Sequence, residues 1–210
     1  MTELLPLSTI AAVIPGLVTS GAGAGARRGD WTVQEVSLRN IESDRIDVAS
    51  LGTLAIQFNR RTERHLLQPY DVLVTARSTV VKAALVPPSL TPAVANSTLA
   101  VVRAREPDLG VFLWWFFTSR YGRAQLQARM VGSTVMLLRA SALLDLEVPV
   151  PDRAALPRIA DLVEASERAY DAAIRAAEIR HETVRDHFIE DLLRSAGDER
   201  SSHATHPSRA

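Results

Sequence analysis

The chain has 210 residues, with 24 basic and 24 acidic side chains, a net charge of zero and 47% hydrophobic content. That length holds one ordinary domain plus an appendage, and the balanced charge excludes a wholesale polycation while leaving room for a basic face offset by acid elsewhere. The absence of cysteine excludes disulfides, thiol nucleophiles and cysteine-ligated zinc, and fits a cytoplasmic protein.

Leu4 to Val18 is apolar and runs into Ser20-Gly21-Ala22-Gly23-Ala24, in outline a signal peptide with a cleavage site. A positive leading region is missing, Glu3 stands there instead, and Pro6 and Pro15-Gly16 break the run, so the segment reads as part of the fold. No apolar stretch approaches the roughly 20 residues of a membrane span. Gly21, Gly23 and Ala26 match a loose dinucleotide fingerprint, but that motif needs a helix after it and Arg27-Arg28-Gly29-Asp30 is a turn; the segment reads as a loop.

From Trp31 to Val86 short strands alternate with turns. Trp31-Thr32-Val33 and Val36-Ser37-Leu38 lead into Arg39-Asn40-Ile41, and Arg60, Arg61, Arg64 and His65 form a basic cluster. Pro69-Tyr70-Asp71 is a turn before the β-branched run Val72-Leu73-Val74-Thr75. A polar tip, Arg77-Ser78-Thr79, then separates that strand from another, Val80 to Val86, which carries Lys82. Such a hairpin either presents donors to a polyanion or is an ordinary solvated turn. Lys82 is the only lysine, so nearly all positive charge is guanidinium, which pairs bidentately with phosphate and guanine edges; a codon bias toward Arg and Ala accounts for the composition equally well.

Ala93 to Val102 predicts one strand with Asn96 near its start, and Leu109 to Met130 one helix whose Leu113, Trp114, Phe117, Tyr121, Leu126 and Met130 face the core. Gly132-Ser133-Thr134 is a turn before a strand from Val135 to Leu138. A long helix follows Val148-Pro149-Val150-Pro151, with Pro157 in its first turn and Gly197 as its stop. Spacings of three and four join Ile159, Val163, Ser166, Tyr170, Ala173, Ala177, Arg180, Val184 and Phe188 into one stripe, and the element spans on the order of 60 Å. The fold class expected is α+β, a β-rich domain with a packed helix over residues 1–151, then one long coiled-coil-type helix over 152–195 and a disordered tail over 196–210.

In that order and spacing, Pro69-Tyr70-Asp71-Val72-Leu73-Val74-Thr75, Arg77-Ser78-Thr79 with Lys82, Ala95-Asn96 before a strand ending at Arg103, Gly132-Ser133-Thr134, and Leu146-Glu147-Val148-Pro149-Val150-Pro151 before the long helix resemble a family. The chain is similar, over roughly residues 4 to 193, to the target recognition domain and helical region of type I restriction–modification DNA specificity subunits. Two positions depart from the family's pattern. Tyr70 stands where Gly is usual, and Leu156-Pro157-Arg158 stands where a Gln follows the Pro-x-Pro element. Family members carry two such domains and two helical regions, so this chain resembles a half-subunit.

The resemblance implies a non-catalytic subunit that reads one half of a bipartite site on double-stranded DNA. Arg77, Ser78, Thr79 and Lys82 are the first candidate contacts, followed by Arg39 and Asn40, then Arg60, Arg61 and Arg64, and Asn96. It implies a homodimer through the helix, with Ile159, Val163, Tyr170, Ile174, Ala177, Val184 and Phe188 at the seam, and a partner adenine methyltransferase subunit that holds S-adenosylmethionine, with a restriction or translocase subunit besides. No cofactor, metal site or catalytic residue is expected in the chain itself. Two rivals remain open on the residues alone. One is a protein-interaction adaptor that dimerises through the helix, and the other a degenerate specificity fragment without a partner.

Overall fold

The structure, a computed structural model, describes residues 2–18, 30–57 and 59–203. It divides into two units, 1–163 and 164–210. The loop carrying Gly21, Gly23, Ala26 and Arg27-Arg28 lies outside the described residues.

In the first unit the chain runs through β1 (Glu3–Pro6), the single turn α1 (Leu7–Ile10), β2 (Ala11–Pro15), β3 (Asp30–Val36), a 3-10 turn at Leu38–Asn40, β4 (Ile41–Glu42), β5 (Arg45–Ile46) and β6 (Gly52–Gln57). It continues through α2 (Arg60–Glu63), β7 (Val72–Thr75), β8 (Ala83–Leu85), β9 (Ala93–Ala95), β10 (Leu99–Ala104), α3 (Pro107–Thr118), α4 (Arg120–Ala128), α5 (Ala140–Leu144) and β11 (Glu147–Val150). The fold is α+β, as expected. The apolar segment after Glu3 is structural, because β1 pairs with β11 and β2 with β10.

A four-stranded antiparallel sheet, ordered β2-β10-β7-β8, forms the centre. One face puts Val72, Val74, Ala100 and Val102 against Leu113, Phe117 and Leu126 of α3 and α4. The other puts Leu73, Ala84, Leu99 and Val101 against Val36, Ile41, Leu90, Ala93 and Ala95. Coverage on both faces explains why Val72-Leu73-Val74 is continuously apolar instead of alternating. A second sheet, β6-β3-β9, joins β3 to β6 antiparallel and to β9 parallel, around Val33, Leu54, Ile56 and Val94.

Two expected elements are divided and two others are shortened or absent. Ala93 to Val102 is two strands in different sheets, because Asn96 turns the chain between them by accepting from the Thr98 amide (3.0 Å) and hydroxyl (2.6 Å). Leu109 to Met130 is two helices, because Ser119 takes an extended conformation and its Oγ accepts from the Gly122 amide at 3.0 Å, capping α4. The break leaves Tyr121 exposed, whereas Leu113, Trp114, Phe117, Leu126 and Met130 are buried as expected. Val80 to Val86 contributes only β8, and residues 135–138 pair back through a bridge between Val131 and Leu137 instead of forming a strand.

The long helix, α6 (Leu156–His203), follows a 3-10 turn at Arg153–Ala155. Asp152 caps that turn, and the hydrogen bond from the Ala154 amide, first among its causes, holds its carboxyl below the usual carboxylate range. Within the first unit Leu156, Ala160 and Val163 are buried and Ile159 packs against them. Ile159 and Val163 therefore belong to the domain core, which corrects their assignment to a partner stripe, and the helix is shared between the units instead of being confined to the second. Gly197 does not stop the helix, since a glycine costs only about 1 kcal/mol in a helix interior and Pro207 is the first proline beyond it. Residues 204–210 of the expected disordered tail lie outside the described residues.

In the second unit the side chains of Tyr170, Ile174, Ile179, Val184, Phe188 and Leu192 are exposed. Among the described residues no helix is long and apolar enough to cross a membrane.

Candidate nucleic-acid interface

Four segments converge at the end of the central sheet where β7 finishes and β10 begins. The tip between β7 and β8 is fixed at its root, where the Thr75 amide donates to the Lys82 carbonyl (3.0 Å) and the Lys82 amide to Thr75 Oγ1 (2.8 Å). Beyond the root, Arg77 and Thr79 are exposed and Ser78 is half-buried. Ser78 Oγ accepts from the Val80 amide at 3.1 Å, which shapes the tip as a hydroxyl turn.

The tip is held from two sides. Ala76 and Arg77 both donate their amides to the Thr98 carbonyl, at 2.9 and 3.2 Å, which ties the tip to the corner between β9 and β10. On the other side the Ser78 amide donates to the Met136 carbonyl (3.0 Å), the Leu138 amide to the Ala76 carbonyl (2.8 Å), and Arg77 bridges to Leu137. Those bonds bring in the turn at residues 131–135, all of them exposed, with Gly132 at a φ of 130° that side chains rarely adopt. The 3-10 turn at Leu38–Asn40 joins through the Leu38 amide, which donates to Thr98 Oγ1 at 3.1 Å and leaves neighbouring Arg39 exposed.

Arg39, Arg77, Ser78 and Thr79 are thus carried on connected segments, and Ser133 and Thr134 stand on a turn docked to the same tip. The sequence reading missed those two hydroxyls as site residues. The Gly132-Ser133-Thr134 motif was the available signal, but its pairing with Arg77 crosses sixty residues and leaves no local trace.

Asn40 and Lys82 are corrected by the structure. Asn40 is 3% exposed, and its Oδ1 accepts from the Ser37 amide (2.9 Å) and hydroxyl (2.6 Å) while its Nδ2 donates to the Ser50 carbonyl and hydroxyl, both at 3.0 Å. It holds the turn from inside. Lys82 is half-buried and its ammonium donates to the Ile41 carbonyl at 2.5 Å, clamping the β4–β5 hairpin. The same hairpin is held on its other side by Trp114 Nε1, which donates to the Asp44 carbonyl at 3.1 Å, and by the Arg123–Asp44 ion pair. Asn96 is half-buried with its Oδ1 engaged at the corner, so only its Nδ2 is left for a ligand.

The basic cluster stands on α2 and the residues after it. Arg60 and Arg64 are exposed, on and just after α2, and the side chain of Arg61 lies outside the described residues. Arg64 Nε meets His65 Nε2 at 3.3 Å, and His65 Nδ1 lies 3.1 Å from the Pro15 carbonyl at the end of β2. The chain beyond joins β9 through Leu66 and Leu67. These contacts anchor the cluster to the ends of β2 and β9.

Arg103 illustrates the opposite use of a guanidinium. It is bidentate to Asp71, Nε to Oδ1 at 2.9 Å and a terminal nitrogen to Oδ2 at 2.7 Å, and it also donates to the Leu66 carbonyl at 2.7 Å. Asp71 accepts the Gln68 amide at 2.8 Å as well. This pair fixes the turn before β7 and commits the guanidinium to the fold.

No protein-family model matches the chain and no curated protein matches it. Solved structures do resemble it. A chain from a structure describing complex assembly and conformational transition of a type I restriction–modification system is 16% identical, matched over 88% of this chain and 43% of its own, with a TM-score of 0.63. The HsdS subunit from Thermoanaerobacter tengcongensis is 21% identical over 81% of this chain and 43% of its own, with a TM-score of 0.55. The S subunit of a type I restriction–modification system from M. genitalium is 14% identical over 82% and 41%, with a TM-score of 0.53. The chain spans less than half the length of these proteins. Identity at this level carries the fold, and the fold is the one that the order of sequence motifs resembled. The chain has the fold of type I restriction–modification S subunits, over a length that covers less than half of one of them.

Proposed function

We propose that this chain is a DNA-specificity component of a type I restriction–modification-like system, non-catalytic itself, that reads one half of a bipartite site. The observation that carries this reading is the group of exposed Arg39, Arg77 and Thr79 with half-buried Ser78, on hydrogen-bonded segments at one end of a central sheet, in a fold shared with S subunits. Guanidinium and hydroxyl donors on a rigid frame suit phosphate positioning and base-edge contact together. Ser133 and Thr134 add donors beside the tip, Asn96 contributes through its amide nitrogen, and exposed Arg60 and Arg64, with Arg61 between them in the sequence, bind phosphate.

Two copies of the chain pair through the exposed stripe of α6, which sets the distance between two half-sites and makes the recognised sequence symmetric about a spacer. The other side of the helix docks an adenine methyltransferase subunit, which holds S-adenosylmethionine, and a nuclease or translocase subunit completes the assembly. Methyl transfer and cleavage belong to those partners.

The test is fluorescence anisotropy on duplexes selected by the protein from a random pool. Arg77→Ala lowers affinity for the selected duplex by about 1–3 kcal/mol and affinity for random duplex by less, the pattern of a base contact. Equal affinity of variant and parent on the selected duplex removes Arg77 from the interface. Co-purification with the methyltransferase, followed by sequencing of methylated adenines, tests the assembly, and methylation without sequence restriction counts against a specificity role.

A further inference from the structure

We propose that Thr98 is a positioning residue that couples the Arg39 turn to the Arg77 tip, so that the two arginines are presented as one unit; this rests on the DNA-recognition reading above. Thr98 lies at the corner between β9 and β10, and every polar group it has is engaged. Its amide and hydroxyl both donate to Asn96 Oδ1, at 3.0 and 2.6 Å. The hydroxyl oxygen accepts the Leu38 amide at 3.1 Å, one residue before Arg39. Its carbonyl accepts the amides of Ala76 and of Arg77 itself, at 2.9 and 3.2 Å. Segments about sixty and twenty residues away in the chain therefore meet on one side chain and one peptide group.

The hydroxyl is the keystone of this arrangement by its geometry. A hydroxyl has one proton and two lone pairs, and here the proton fixes the corner while a lone pair receives the Arg39 turn. Orientation of the corner in turn aims the carbonyl that receives the tip. Removing the hydroxyl unties the Arg39 turn directly and loosens the aim of the carbonyl, so both arginines lose their register. Binding that depends on two groups held together suffers from misplacement of either one.

Thr98→Val keeps the branched shape and removes only the hydroxyl, and Thr98→Ser keeps the hydroxyl and removes the methyl. In the full chain, amide hydrogen exchange of Thr98→Val is expected to accelerate at Leu38, Ala76 and Arg77 while Val74 and Val101 in the central strands stay parent-like, and Thr98→Ser is expected to stay parent-like throughout. Acceleration at Leu38 alone, or uniform acceleration across the fold, overturns the coupling. The second arm measures binding to the duplex selected from a random pool by the parent. Thr98→Val is expected to weaken it about tenfold with Thr98→Ser restoring it, and Arg39→Ala and Arg77→Ala to be non-additive in the parent background but additive in Thr98→Val. Parent-like binding by Thr98→Val despite altered exchange overturns the positioning role. A parent that selects no duplex overturns the DNA reading, and the exchange arm still decides whether Thr98 couples the two segments.

Discussion

Tyr70 has a φ of 68°, left-handed backbone that glycine adopts freely and a bulky side chain adopts at a cost of about 1–2 kcal/mol. Tyr70 meets this backbone demand under strain, offset by its packing against the main core. Its carbonyl is approached closely by Gly110 of α3, where an added Cβ would lie 2.4 Å from the oxygen. Gly110→Ala is expected to destabilise the fold by about 1–3 kcal/mol, read as a lower denaturant midpoint; a parent-like midpoint would mean that α3 shifts without cost. Beside this turn, Asp71→Ala strands Arg103 with its bidentate partner gone, and a loss of about 3–5 kcal/mol is expected in the same measurement. Arg39 and Asn40 show how little adjacency decides at this scale, since one is exposed and the other buried and fully bonded.

Among the elements, those with strong local signals were legible and their interruptions were not. The Pro-Tyr-Asp turn, strand β7, the aromatic run of α3 and the long helix all announce themselves by turn residues or periodicity. The breaks at Asn96 and Ser119 depend on single side chains that each accept a nearby backbone amide, and both residue types are equally compatible with an ordinary solvent-facing turn. Ser119→Ala is expected to cost about 1 kcal/mol, because the Gly122 amide loses its acceptor, and to reduce helical circular dichroism slightly. For the candidate site, the exposed Arg77 tip was readable as a polar turn between apolar strands. The engagement of Asn40 and Lys82, and the docking of residues 131–135, rest on long-range hydrogen bonds that no pattern of spacing records.

For the whole molecule the exposed side of α6 matters most. From Tyr170 the residues Ile174, Ala177, His181, Val184 and Phe188 come at alternating intervals of four and three, the a/d repeat of a coiled coil. Phe188 is 62% exposed in the isolated chain, an apolar side chain that pairing would cover. Tyr170→Asp combined with Ile174→Asp is expected to convert the proposed dimer to monomer by light scattering, since unpaired charges in the seam are costly to desolvate. An unchanged mass would move the seam elsewhere or exclude the dimer. Binding to duplex DNA should weaken as salt rises, with a logarithmic slope of about 0.9 per phosphate neutralised, and Arg39→Ala should reduce that slope by about one if it contacts a phosphate.

The ammonium of Lys82, bound to the Ile41 carbonyl, is the only lysine amine in the sequence. Acetylating enzymes and amine-directed reagents therefore find no lysine among the exposed residues proposed to meet DNA. The charge of that surface is carried by arginine, whose planar guanidinium offers five donors in a fixed fork. An interface built this way cannot be tuned by lysine acetylation, and its electrostatic strength answers to salt instead.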